Sequence, residues 1–189
     1  MRQLTKFLLA FSTLLNTTFA FAQNQDDTKA MIAYMTPGEV HKMLAKSEGT
    51  WTGAISMWMQ PGAQPVTMSG DSKIEMILGG RYLQEKSTGV MMGMPFEGQG
   101  TTAYDNAKKI FITTWIDNAG TGMMYLEGKW DPANKSIDFS GKMVDPSSGK
   151  DLPVREVLQF ADDNTRVLEM YLTVNGQEYK SMEIKYTRK

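Results

Sequence analysis

The stretch GGRYLQEKSTGVMMGMPFEGQGTTAYDNAKKIFITTW, from Gly79 to Trp115, sets the reading of the whole chain. Gly79-Gly80 is a tight-hairpin signal, and Arg81 to Ser87 is an extended run. The methionine-rich bend Met91-Met92-Gly93-Met94-Pro95-Phe96 follows, then two further runs, Phe96 to Tyr104 and Ile110 to Asp117, parted by Asp105-Asn106. Strand and turn alternate throughout, and no usual catalytic signature interrupts them.

The same rhythm extends in both directions. Upstream, Trp51, Gly53, Ile55, Met57 and Met59 share one face of an alternating run, and Val66 to Leu78 puts Met68, Gly70, Ile74, Met76 and Leu78 in step. Downstream, Thr121 to Trp130, Ser136 to Val144, Leu152 to Phe160, Arg166 to Val174 and Gln177 to Arg188 read as strands. Asn118-Ala119-Gly120, Asp131-Pro132, Asp145-Pro146, Asp162-Asp163-Asn164 and Asn175-Gly176 divide them. About ten strands at short, regular spacing make an all-β domain. Because nearly every connection is a short hairpin, the expected fold is an antiparallel up-and-down β-barrel rather than a Greek-key sandwich, and closure removes exposed sheet edges. A barrel of about ten strands is wider than its own side chains can fill, so a lumen is expected.

Ahead of the strands, Thr36-Pro37-Gly38-Glu39 reads as the start of a short N-terminal helix capped by Thr36, with Val40, Met43 and Leu44 on its apolar face. Residues 23–35 read as a flexible lead-in, and a single barrel domain covers 36–189. Residues 1–22 read as a signal peptide: Arg2 and Lys6 precede a mostly apolar run, and Ala20-Phe21-Ala22 is a small-x-small site cut after Ala22. That run is broken by Ser12, Thr13, Asn16, Thr17 and Thr18 and is too short to span a bilayer comfortably, so the mature chain is expected to have no membrane span and to be periplasmic or extracellular.

The chain has no cysteine, hence no disulfide and no lipid anchor at the cleavage site. Removing Arg2 and Lys6 leaves 18 basic against 21 acidic residues, a formal charge of −3. With its Lys and Arg scattered, the chain is not expected to bind nucleic acid.

The short helix leading into Gly49-Thr50-Trp51 resembles the Gly-x-Trp opening of lipocalins and their calycin relatives. That resemblance implies that Arg188, from the last strand, lies across Trp51 and closes the barrel base, a contact worth about 0.5–2 kcal/mol. The wider string of Gly49-Thr50-Trp51-Thr52-Gly53, Gly79-Gly80-Arg81, Met92 to Gly98, Tyr104-Asp105-Asn106, Thr114 to Asp117 and Tyr186-Thr187-Arg188 resembles the bacterial family known as domain of unknown function 1579. The likeness runs from about Pro37 to Lys189; it implies a fold and an exported protein, and it brings no activity and no site residues. The neighbouring nitrobindin-like ten-strand barrels hold haem iron through a histidine inside the barrel. The single histidine here, His41, falls on the helix as a solvent-facing residue and departs from that pattern, so no cofactor is expected.

Candidate site residues come from the inward alternation. With Tyr82 outward, Arg81, Leu83 and Glu85 face the lumen and Arg81 can meet a ligand carboxylate; in the opposite register Arg81 and Glu85 are a solvated surface pair. Met57, Met92, Met94, Phe96, Tyr104, Trp115 and Tyr125 are candidate wall residues. Met57, Met59, Met91, Met92, Met94, Met123 and Met124 could instead form a thioether site for Cu(I), although apolar lining is the simpler reading. Asp145 to Asp151 lacks the EF-hand order of ligands, and no metal is assigned.

Three functions follow. The first is binding of a small apolar or amphipathic molecule in the lumen, with Met91 to Phe96 near its mouth. The second is an enzyme of isomerase or hydrolase type using lumenal Arg81, Glu85, Glu97 or Tyr104. The third is an interaction module presenting outward Trp58 and Trp130.

Overall fold

The computed structural model of the chain describes residues 25–189; the expected signal peptide lies outside them. The chain divides into two compact units, Met1–Thr36 and Pro37–Lys189. In the first, residues 25–35 form a helix, α1, where composition reads as a flexible lead-in. Asp26 and Asp27 favour its first described turn, Lys29 pairs with Asp26 at 3.7 Å, Ala30, Met31 and Ala33 tolerate helix well, and the Thr36 hydroxyl donates to the Ile32 carbonyl at 2.6 Å.

The second unit begins with α2, Glu39–Ala45, and continues as ten strands. These are β1 Gly49–Met57, β2 Val66–Ile77, β3 Tyr82–Met91, β4 Met94–Asp105, β5 Ile110–Asp117, β6 Met124–Asp131, β7 Ser136–Val144, β8 Asp151–Asp162, β9 Thr165–Val174 and β10 Gln177–Arg188. Each strand pairs antiparallel with its neighbours in sequence, and β1 pairs with β10 from Trp51↔Arg188 to Met57↔Met182, so the sheet is a closed up-and-down barrel. Asn175 and Gly176 both take positive φ, 53° and 78°, the two-residue turn whose twist matches the strands it joins.

Helix α2 starts at a Gly38 cap, two residues later than the Thr36 cap expected, because the Gly38 N–H finds a partner within the first turn, donating to His41 Nδ1 at 3.1 Å. His41 is therefore buried rather than solvent-facing, and its ring stands edge-on to Tyr104. It lies one helical turn from Leu44, which is fully buried, so both belong to the face that packs on one end of the barrel. Burial, with the Arg81 charge nearby, lowers its pKa and keeps the imidazole neutral.

Register places the apolar positions inward: Leu83 opposite Thr102, Phe111 opposite Gly128, and Leu126 opposite Gly141. Outward positions carry Lys73, Lys86, Glu127 and Lys129, the reverse of the apolar exterior of a barrel that crosses a bilayer. No helix among the described residues is long and apolar enough to cross a membrane. Trp130, expected outward, shares the inward parity of Leu126 near the end of β6, with its ring tilted against Phe160 at 5.9 Å while it stays partly exposed.

Large rings inside the barrel lie on glycines of the next strand. A Cβ at Gly98 would sit 2.3 Å from Trp115 Cζ2, and one at Gly100 would sit 3.0 Å from Trp115 Cε3. The indole thus rests on bare backbone of β4, which sets how far Trp115 reaches into the lumen. Gly98→Ala must displace this ring and is expected to cost about 1–3 kcal/mol, read as a lower urea midpoint at unchanged slope; a midpoint equal to wild type would mean that the indole is not held there.

Candidate functional site: a polar floor beneath an apolar lumen

Trp51, 1% exposed, is the centre of the barrel base. Its indole N–H donates to the Ser47 carbonyl at 2.9 Å, and two guanidiniums lie against its ring, Arg188 Cζ at 4.2 Å from the centroid and Arg166 Cζ at 4.3 Å. Arg188 donates from Nη2 to the Lys46 carbonyl at 2.7 Å, from Nη1 to the Glu48 carbonyl, and from Nε to the Asp163 carbonyl at 3.0 Å. It thereby ties β10 to the carbonyl end of α2, where a cation is electrostatically favoured.

Arg166 has no such set of acceptors. It is 3% exposed, lies between the rings of Trp51 and Tyr186, and its Nε and Nη2 are buried without a hydrogen-bond partner. Two groups from other strands act on it, Glu85 and Tyr186, and Glu156 lies close to both of these. Glu85 on β3 is held by Ser87, whose hydroxyl donates to Oε1 at 3.1 Å and is itself bonded to Ser72 at 2.8 Å. Tyr186 on β10 is close enough to Glu85 to feel its charge. Glu156 on β8 is 6% exposed. Burial, and secondarily the Glu85 charge, pushes the Glu156 carboxyl up to about 7. Burial and Glu85 hold the Tyr186 phenol well above its ordinary range, so it remains protonated, and burial lowers the Arg166 pKa while Glu85 opposes that shift.

Met68, Met124, Leu168, Met170, Leu172 and Ile184 occupy inward register positions yet remain half-buried. In a closed barrel these side chains form the inner face of the wall, on the same parity as Glu85, Glu156, Arg166 and Tyr186. Helix α2 packs at the end where β1 begins; the Met91–Met94 hairpin lies at the other.

The residues singled out from sequence are divided by the structure. Glu85 and Leu83 face inward, with Tyr82 outward and exposed. Arg81 does not follow them: it closes the Leu78–Arg81 turn, is exposed, and donates from Nη1 to the Leu78 carbonyl at 3.0 Å. The two glycines extend the turn by one residue past the register argument, so the strand begins at Tyr82. Tyr125 is outward and 47% exposed, its hydroxyl donating to Glu127 at 2.7 Å, and Glu97 is also outward. Met92 and Met94 lie exposed at the β3–β4 hairpin. Met57 and Phe96 are half-buried at inward positions, Trp115 lies over its glycines with its indole N–H donating to Asp117 at 2.8 Å, and Tyr104 packs on Phe111 at 4.9 Å beside His41. The candidate thioethers are spread over the end of β1, the β3–β4 hairpin and the start of β6. Among the described residues no three His, Cys, Asp or Glu side chains are grouped to hold a metal ion.

Two charged floor residues were not among those singled out from sequence, although a signal was present. Glu156 is in step with Leu152, Val154, Leu158 and Phe160, and Arg166 with Leu168, Met170 and Leu172. A charge on the apolar parity of a strand marks a buried ionic site.

The family model for the protein of unknown function DUF1579 matches residues 36–188. Comparison with curated proteins finds no match. Among solved structures the chain is similar to Rv2717c from M. tuberculosis, at TM-score 0.59 and 12% identity over 82% of this chain and 99% of that one, a likeness of fold alone. A redesigned β-barrel aligns at TM-score 0.42 and 14% identity over 77% of this chain and 94% of that one.

Glu156 also sets a pH dependence. Its folded pKa, about 7, exceeds the ordinary 4.5, so the folded chain holds a proton between these values that the unfolded chain releases. Its contribution is complete below pH 4.5 and is lost as pH rises through 7, a loss of roughly 3 kcal/mol at about 1.4 kcal/mol per unit. Glu156→Gln is expected to lose this component, so the difference in urea stability between variant and wild type grows in favour of the variant from pH 5 to pH 8; a constant difference would place Glu156 in water.

Proposed function

The chain belongs to the protein family of unknown function DUF1579, and from its interior we propose that it is an exported protein whose barrel binds a small amphipathic molecule in the lumen. The observation that carries this reading is the half-buried ring of inward apolar residues above a polar floor. Apolar wall and localised polar contacts are the usual make-up of a small-molecule site. The methionines suit such a wall, because an unbranched thioether adapts to irregular ligands at little cost. Export is supported by the basic, apolar and small-x-small segments of residues 1–22.

A second reading has one observation in its favour. Glu156, its carboxyl pushed up to about 7, stands near Glu85, and a buried carboxyl that titrates near neutrality is equipment for acid–base chemistry. In an isomerase or hydrolase of this kind Glu156 would carry the proton.

Native mass spectrometry of the mature protein, taken gently from its own compartment, tests the first reading. A co-purifying organic mass in fixed ratio is expected, on a chain beginning at Gln23. Met170→Trp, which puts an indole into the lumen, is expected to weaken binding of the apolar fluorophore N-phenyl-1-naphthylamine at least tenfold. An apo mass together with no fluorophore binding would remove the ligand reading. Retention of the leader would remove the assignment to an exported compartment.

A further inference from the structure

We propose that the head of the lumenal ligand is a carboxylate, received by the Nε and Nη2 edge of Arg166. This rests on the lumenal reading above and names the chemistry of its polar end. Three independent features of the floor lead to it.

The first is the orphaned donors. Arg166 Nε and Nη2 are both buried and both without a partner. They are two parallel donors on one edge of a plane, the spacing that the two oxygens of a carboxylate satisfy together. A neutral carbonyl or hydroxyl would engage one donor well and leave the other unpaired in a low-dielectric site.

The second is charge. Two guanidiniums, Arg166 and Arg188, lie against Trp51. The three donor groups of Arg188 described above all go to backbone carbonyls, which satisfy its hydrogens and leave its charge in place. On the acidic side, the Glu85 carboxyl is held by Ser87, while Glu156, pushed up to about 7, keeps its proton below neutral pH. The floor thus carries a surplus of positive charge that one anion balances.

The third is shape. Register sets Arg166 beside Tyr186 and Phe160, with Leu168 and Ile184 one inward position further along β9 and β10. Phe160, Leu168 and Ile184 are half-buried, so the polar edge and the accessible apolar wall are adjacent parts of one interior. A chain lying along the wall ends at the guanidinium, and the head reaches it by moving these side chains aside.

Glu156 makes this site sensitive to pH. The charged and titratable groups gathered about it are Glu85 from β3 and Tyr186 from β10, and these two also act on Arg166 from β9. When Glu156 ionises, a second anion joins Glu85 and the positive surplus disappears. Carboxylate binding should therefore fall as pH rises through neutrality.

The test is displacement of N-phenyl-1-naphthylamine from the mature protein by decanoate, decan-1-ol and methyl decanoate, which share a chain and differ at the head. At pH 6 decanoate is expected to compete at least tenfold better than either neutral analogue. In Arg166→Met that preference should shrink to within about twofold, with circular dichroism confirming the fold. Between pH 6 and pH 8 the wild type should lose at least fivefold in decanoate affinity, and Glu156→Gln should stay nearly level. Equal competition by all three compounds in the wild type, or a preference that survives in folded Arg166→Met, overturns the carboxylate assignment while leaving the lumenal reading intact. Failure of the fluorophore itself to bind removes the lumenal reading and this inference with it.

Discussion

The contact on which the rest of this molecule depends is the indole of Trp51 against two guanidiniums. A ten-strand meander must join its first strand to its last, and the cost of closing so long a loop falls on that seam. No cysteine is present to lock it. The seam is instead made by the β1–β10 ladder and, at its base, by Arg188, which lies on Trp51 and donates to carbonyls of residues 46, 48 and 163. One side chain thus joins the C-terminal strand, the end of α2 and the β8–β9 connection.

The second guanidinium changes what that base can do. A buried Arg without partners is a liability for stability, because desolvation removes more than ring contacts return. Glu85, Glu156 and Tyr186 set the electrostatics around it, and each comes from a different strand, so the cluster exists only when the barrel is closed. Above it the wall is methionine, leucine and aromatic, and the glycines of β4 let the Trp115 ring lie flat against backbone. Wall and floor are built by the same alternation, and the floor arises where charged residues take positions that the pattern otherwise reserves for apolar ones.

Hydrophobic period and turn chemistry are local properties, and the sequence by itself determined what depends on them: ten strands, nearly all their boundaries, the short connections and hence a closed up-and-down barrel. Trp51, Glu85, Phe96, Tyr104 and Trp115 were legible on the same ground, as members of an inward parity. What only the tertiary structure decided was which distant parities converge. Arg81 was the natural partner for Glu85 because the two are close in sequence, yet a single residue of turn length leaves it outside, and the cation gathered with Glu85 is Arg166 from β9. His41 looked solvated on a seven-residue helix until the barrel end supplied Leu44, Tyr104 and His41 with a common core. Burial, proton affinity and the unpaired edge of Arg166 are effects of a low-dielectric interior, which exists only once β1 and β10 have met.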